Sequence, residues 1–124
     1  MMDIVRFLKD RLDEDEATAR AILADDLSEG RWRWQLHGLN PYRTALVNDR
    51  GSVLLPAKHD DVFPSRSVAE HIARHDPARV LREVEAKRVA LNWYENDDHV
   101  VMAATIYAMA AIYSDHEDFQ SEWR

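Results

Sequence analysis

The segment HVVMAATIYAMAAIY, residues 99–113, contains no Asp, Glu, Lys or Arg. Larger apolar side chains and alanines surround the whole circumference, so a helix here would have no polar face. Such a helix is normally covered by its own domain or by a partner protein. The uncharged stretch from Val100 to Tyr113 is shorter than the roughly 20 residues of a membrane-spanning helix. We therefore predict a helix over about His99–Tyr113 that lies inside the domain or in a homodimer interface.

Three further helices are predicted on the N-terminal side of this segment. Apolar residues at three- and four-residue steps predict the first helix from Asp3, its N-cap, to about Asp26. A short helix follows over about Val68–His75. Asp76 is then a second N-cap, and Pro77 suits the first position of a helix that runs to about Tyr94.

A small sheet is predicted between the first two helices. Trp32, Trp34 and Leu36 alternate with polar residues, which is the period of a half-buried strand. Two more strands and the segments between them follow in order: a loop at residues 38–41, a strand at 43–47, a turn at 48–51, a strand at 52–55 and a surface connection at 56–67. These elements predict an α+β fold in which about four helices pack with a three-stranded antiparallel meander.

Composition indicates one folded domain over residues 1–124. The apolar fraction of 46% and the charged fraction of 31% are those of a globular protein rather than a disordered one. The absence of cysteine excludes disulfides and thiolate metal sites, and it suits a reducing compartment. The first residues lack the pattern of a secretion signal, so we expect a cytoplasmic protein. A net charge of −7 disfavours nucleic acid as a partner, because such binding depends on Lys and Arg.

Parts of the sequence resemble a known family. The run AEHIARHDPARVLREVEAKR, residues 69–88, is similar to the central signature of the family catalogued as domain of unknown function 6221. The first helix resembles the family's opening helix at residues 12–16, and the tail resembles its C-terminal pattern at Tyr113, Asp115, His116, Asp118 and residues 122–124. Together these segments cover about half of the chain. The resemblance implies an origin in actinobacteria or their phages, and it implies no activity.

The strands resemble that family only through a Trp near their start and the turn at residues 49–51. Members often carry cysteine pairs, and this chain has none. A zinc role that depends on those cysteines therefore does not carry over to this chain.

A metal site is one candidate for function. His71 and His75 lie four residues apart on a predicted helix, which places both rings on one face as half of a zinc site. Asp115, His116 or Asp118 would have to fold back beside them to complete the ligand set. In the alternative interpretation, His75 interacts with the C-terminal end of its helix and His71 packs or faces solvent. No cofactor is expected under that alternative.

Two other clusters have structural and functional interpretations. Trp32 and Trp34, flanked by Arg31 and Arg33, suit core packing, stacking on a ligand or a nucleic acid, or a partner surface. The acidic run at residues 13–16 is typical of a solvated helix face, and a cation or partner site is the alternative.

The C-terminal tail carries Phe119 and Trp123 four residues apart, followed by Arg124. Docking of a terminal helix through the two rings is one interpretation. The alternative is an exposed binding motif for another protein, formed by Phe119, Trp123 and Arg124, because Trp and Arg are frequent in such motifs.

Catalytic signatures are scarce. No serine lies in a G-x-S-x-G context, and a chain with three glycines has no glycine-rich phosphate loop. The sequence therefore favours a non-catalytic interaction or accessory module whose partner is itself, as a homodimer, or another protein. The alternative is a metal-binding enzyme or sensor that uses His71 and His75 with Asp115 and His116.

Overall fold

The computed structural model describes residues 3–36, 44–56, 66–97 and 99–124. In chain order the elements are α1 (Ile4–Asp26), β1 (Trp32–Leu36), β2 (Thr44–Asn48), β3 (Val53–Pro56), α2 (Arg66–Arg74), α3 (Pro77–Asn96), α4 (His99–Ile112) and a terminal 3₁₀ turn (Ser121–Trp123). The predicted α+β class, with four helices and a three-stranded antiparallel sheet, is confirmed. The predicted loop at 38–41 and most of the connection at 56–67 lie outside the described residues.

The chain divides into two compact units. The helical unit comprises Met1–Ala17 and Leu81–Arg124, and the sheet unit comprises Thr18–Val80. Both α1 and α3 belong partly to each unit. A single domain over 1–124 stays a prediction.

The predicted N-caps of α1 and α3 are present. Asp3 accepts a hydrogen bond from the backbone N–H of Arg6 at 2.8 Å, and Asp76 Oδ1 accepts one from Arg79 at 2.8 Å. Each carboxylate thus satisfies a backbone donor that the first helical turn leaves without a partner. The other oxygen of Asp76 accepts from the backbone N–H of Trp32 at 3.0 Å, so the cap of α3 also anchors the start of β1.

In the sheet unit, the strands form an antiparallel meander in the order β1-β2-β3. Trp34 pairs with Leu46, which pairs with Leu55, and the β2–β3 register shifts between Leu46 and Val47. The central strand β2 is the buried one, because Ala45, Leu46 and Val47 are almost completely inaccessible. The helix α2 contacts β1 and buries Ala69.

Side-chain oxygens organise the turn between β2 and β3. Asn48 Oδ1 accepts from the backbone N–H groups of Arg50 at 2.9 Å and Ser52 at 3.0 Å. The Asp49 carboxylate accepts from the N–H groups of Glu29 and Arg31, which precede β1. Desolvation by itself would raise the pKa of the Asp49 carboxyl. The two backbone hydrogen bonds outweigh desolvation and hold the pKa of Asp49 below its usual value. The turn is therefore tied to the segment that leads from α1 into the sheet.

In the helical unit, buried apolar residues form one stripe on each helix. On α1 this stripe comprises Ile4, Phe7, Leu8 and Leu12; Val84 and Leu91 are buried on α3, Ile106, Met109 and Ala110 on α4, and Trp123 in the terminal turn. The spacing in α1 and α3 is the one that the sequence predicts for core-facing stripes.

The fourth helix agrees with its prediction in position but not in burial. It spans His99–Ile112, close to the predicted bounds, but most of its circumference is exposed in the single chain. The prediction that the chain's own core encloses this helix is therefore wrong. The reason is geometric, because the described residues cover only the side of Ile106, Met109 and Ala110. Cover by a second subunit, the other possibility for this helix, stays a prediction.

Candidate interaction surface

The exposed side of α4 is an apolar surface of the helical unit. Val100 is 87% exposed and Ile112 is 61% exposed, although both side chains are aliphatic. Between them lie Val101, which is aliphatic and 69% exposed, and exposed residues that are small or aromatic. We define the α4 face as Val100, Val101, Ala104, Tyr107, Ala108, Ala111 and Ile112.

These residues share one side of the helix. From Val100 they recur at steps of one, three, three, one, three and one residues, which keeps them within a stripe of a 3.6-residue helix. The buried residues Ile106, Met109 and Ala110 occupy the opposite side. The α4 face therefore points away from the core of its own unit, and it contains no carboxylate, guanidinium or amine.

The preceding helix carries two further exposed apolar side chains. Val89 and Trp93 lie one helical turn apart on α3 and are 53% and 55% exposed. Single exposed apolar residues are common on protein surfaces. A set of this size on two consecutive helices of one unit is instead typical of a protein–protein contact.

The C-terminal tail packs against α1 through aromatic rings. The ring of Phe7 lies 5.1 Å from that of Trp123, 6.0 Å from that of Phe119 and 5.7 Å from that of His116, measured between centroids. Trp123 is only 6% exposed, whereas Arg124 is exposed. The structure thus uses Phe119 and Trp123 within the chain, and a partner role for them and for Arg124 stays a prediction.

A buried arginine joins the tail to α1. The Arg11 side chain is 7% exposed, and its guanidinium donates to Glu14 at 2.9 Å and to the imidazole of His116. The backbone N–H of Asp118 donates to His116 Nδ1 at 3.0 Å. Arg11 of α1 and the backbone of Asp118 therefore contact the same imidazole, which connects the tail to α1.

Sequence reasoning missed Arg11, although a signal was present. Arg11 follows Leu8 by three residues and Phe7 by four, so it occupies a position in the apolar stripe of α1. A charged residue at such a position is seldom buried without partners. A search for partners of Arg11 would have pointed to the acidic and histidine residues of the tail.

The acidic run of α1 has partners in other elements of the same unit. Asp13 and Glu16 both pair with Arg88 of α3, at 2.9 and 3.3 Å, and Asp15 accepts from the Tyr113 hydroxyl at 2.7 Å. The interpretation of this run as only a solvated face is therefore incomplete.

The hydrogen bond to Asp15 is one of the causes that shift the pKa of Tyr113. Burial, reinforced by the neighbouring Asp15 carboxylate, raises the pKa of Tyr113 above the ordinary tyrosine value. Lys87 Nζ lies 3.4 Å from the same hydroxyl. The neutral phenol is therefore an internal connection between the end of α4 and α1.

A shallow cleft of about 480 Å³ lies between α1 and α3. It is lined by Lys9, Asp13, Arg88, Leu91, Asn92 and Glu95. The charges pair across it, Lys9 with Glu95 at 3.1 Å and Arg88 with Asp13 at 2.9 Å. A ligand would have to displace these ion pairs, so the cleft is a weaker candidate than the α4 face.

The two predicted metal-binding histidines lie close together. His71 is in α2, and His75 is the first residue after that helix. The rings of His71 and His75 are 4.2 Å apart between centroids, and His75 Nδ1 is 2.8 Å from the His71 carbonyl oxygen, to which it donates. This contact at the C-terminal end of α2 is the one expected in the interpretation without metal.

The other two predicted ligands, Asp115 and His116, belong to the helical unit, whereas His71 and His75 belong to the sheet unit. His116 is occupied by Arg11 and Asp118. Within the described ranges, no group of three or more His, Asp or Glu residues is arranged to hold a metal ion. Those same ranges contain no helix that is long and apolar enough to span a membrane.

Comparison with known proteins agrees with the resemblance seen in the sequence. No curated protein and no solved structure matches the chain. A family of unknown function, DUF6221, matches residues 1–124, which is the whole length. The chain therefore belongs to the DUF6221 family.

Proposed function

We propose that the chain is a non-catalytic protein-interaction module and that the α4 face is its binding surface. The observation that carries the proposal is the exposure of Val100 and Ile112 at the two ends of a stripe that contains no charged residue. At about 25 cal/mol per Å², covering such a stripe is favourable for a partner that matches its shape. An origin in actinobacteria or their phages, as the family resemblance implies, belongs to the proposal, and the partner then comes from that host or from the chain itself.

Three alanines support a helical partner. Ala104, Ala108 and Ala111 present little side chain beyond the backbone, so the axis of another helix can approach to about 8 Å. Larger side chains at both ends of the stripe, Val100 and Ile112, would contact the flanks of that helix. An amphipathic helix laid along such a surface is a common mode of peptide recognition.

A charge substitution tests this surface. We expect Ala108→Glu to abolish capture of partner proteins from an actinobacterial lysate, because the carboxylate would be desolvated in the contact. Ala21→Glu, at an exposed position of α1, is the matched control and should retain the same proteins. Both positions are exposed in helices, so neither change should affect folding. Equal capture by the two variants would contradict the assignment of the surface.

A metal-binding enzyme or sensor is the second candidate. The specific observation in its favour is that His75 donates from Nδ1 to a carbonyl oxygen, which leaves Nε2 available and orients the ring as in many metal sites. Asp115 and His116 are the proposed additional ligands. Elemental analysis of untagged protein, with His75→Ala as the control, tests this candidate. Absence of stoichiometric metal in the wild-type chain would eliminate it.

A further inference from the structure

We infer that the occupant of the α4 face is α4 of a second copy of this chain, packed antiparallel across a twofold axis near the level of Ile106. This inference rests on the proposed function and names its partner. It is drawn from the order of side-chain sizes along the face, from its charge, and from its length.

The order of small and large side chains along the α4 face is self-complementary, so the face of one chain fits that of a second chain in the opposite direction. In an antiparallel pair centred near Ile106, Ala104 lies level with Ala108 of the second copy, and Val100 lies level with Ile112 of the second copy. The alanines at positions 104 and 108 therefore meet near the centre, where two crossing helices are closest, Tyr107 lies at the edge of the stripe, and aliphatic side chains meet at both ends. A twofold interface requires this kind of symmetry, because the same patch contributes both sides.

Charge supports a second copy over a basic partner helix. Two chains of net charge −7 repel each other least when the contact itself contains no charged side chain, whereas a basic helix would need carboxylates with which to pair. The α4 face contains no charged side chain. Antiparallel alignment also places the positive end of each helix dipole beside the negative end of the other.

The length of the helix limits the affinity. Fourteen residues at 1.5 Å each extend about 21 Å, so one helix pair forms an interface at the small end of the range for stable complexes. We therefore expect a reversible dimer with a dissociation constant in the micromolar range. Higher salt should strengthen it, because salt screens the repulsion between two acidic chains.

Sedimentation velocity of the full chain across a concentration series tests the dimer. The wild-type chain and Ala21→Glu should associate equally, and Ala108→Glu should raise the dissociation constant at least about tenfold, since it places buried carboxylates at the seam. Raised salt should lower the dissociation constant. A wild-type chain that is monomeric at every concentration would overturn the inference, as would a dimer that Ala108→Glu does not weaken.

The absence of cysteine permits a direct test of orientation. An equal mixture of Ala104→Cys and Ala108→Cys chains, one of them isotope-labelled, is oxidised mildly, and mass spectrometry counts the linked pairs. Antiparallel packing predicts mainly mixed disulfides, because only then do unlike positions come within the roughly 4.4–6.8 Å between Cα atoms that a disulfide requires. Predominance of like pairs would indicate parallel packing and overturn the inference.

The outcomes separate the two proposals. A monomeric chain that captures a partner sensitive to Ala108→Glu would overturn only the second-copy inference and leave the interaction module standing. Capture that salt weakens would in that case identify a basic partner. A monomer with no partner sensitive to that substitution would overturn both.

Discussion

Gly30 shows how one residue positions two elements of the sheet unit. Its φ is 82°, a left-handed value that favours glycine, and its carbonyl accepts from the backbone N–H of Ala78 at 3.0 Å. A Cβ at this position would lie 2.6 Å from Leu23 Cδ2 and 3.0 Å from Ala78 N. The start of α3 therefore approaches the α1–β1 connection as closely as it does because residue 30 has no side chain.

We predict that Gly30→Ala lowers the free energy of unfolding by about 2–3 kcal/mol, because backbone strain and close contact add. Gly51→Ala is the matched control, since Gly51 has a φ of 80° and a Cβ there would meet no atom within 4 Å. Gly51→Ala should lower the free energy of unfolding by about 1 kcal/mol, because it adds only backbone strain. Urea denaturation measures both values. Equal losses would show that the close approach at Gly30 contributes nothing.

Tyr113 is predicted to make stability fall at alkaline pH. Below the ordinary tyrosine pKa of about 10, folded and unfolded chains both keep the phenolic proton, and the contribution of the buried phenol is fully present. Above that pH the unfolded chain loses its proton first, because the folded pKa is raised, so the free energy of unfolding decreases. Denaturation at a series of alkaline pH values measures this slope.

Tyr113→Phe should remove this contribution to the alkaline fall in the free energy of unfolding. At neutral pH the same substitution should lower the free energy of unfolding by about 1 kcal/mol, because the hydrogen bond to Asp15 is lost. Tyr94→Phe, on α3 and outside the α4 face, should change neither quantity. A phenolate absorbance titration in which all four tyrosines ionise together would contradict the raised pKa.

At the scale of elements, the tail is part of the fold of the helical unit. Phe7 is fully buried beneath the rings of the tail, and Arg11 holds His116 from the same helix. The twelve residues after α4 therefore cover the first turns of α1. Such an arrangement makes the N-terminal and C-terminal segments of the chain stabilise each other.

We expect Trp123→Ala to lower the free energy of unfolding by about 3 kcal/mol, because the removed ring is buried against Phe7. Trp93→Ala is the control within the chain, and as a half-exposed residue it should cost less than about 1 kcal/mol. Chemical denaturation followed by circular dichroism gives both values. Similar costs for the two substitutions would show that the tail is not an integral part of the unit.

For the whole molecule, the division into two units raises the question of cooperativity. Because α1 and α3 each contribute to both units, partial unfolding of one unit would break a continuous helix. We predict one calorimetric transition whose van't Hoff and calorimetric enthalpies agree. Gly30→Ala, in the sheet unit, should lower the midpoint of the entire transition. Two resolved transitions, of which only one responds to that substitution, would show two independently folding parts.

Local sequence signals were sufficient for most of the architecture. Asp3, Asp76 and Pro77 marked helix starts through capping chemistry, and the alternation after Arg31 marked β1, because these preferences act within a few residues. The candidate surface was predictable only in part. The apolar character of α4 was evident, but which of its sides meets the core depends on contacts distant in sequence.

The sequence by itself determined the number, type and order of the elements and the membership of the DUF6221 family, because periodicity, caps and family motifs are written in neighbouring residues. Only the tertiary structure decided that Arg11 is buried beside His116, that the acidic run of α1 pairs with Arg88 and Tyr113, and that Val100 and Ile112 face outward. The physical reason is that burial and ion pairing depend on which helix faces meet in space, and no local preference specifies that choice.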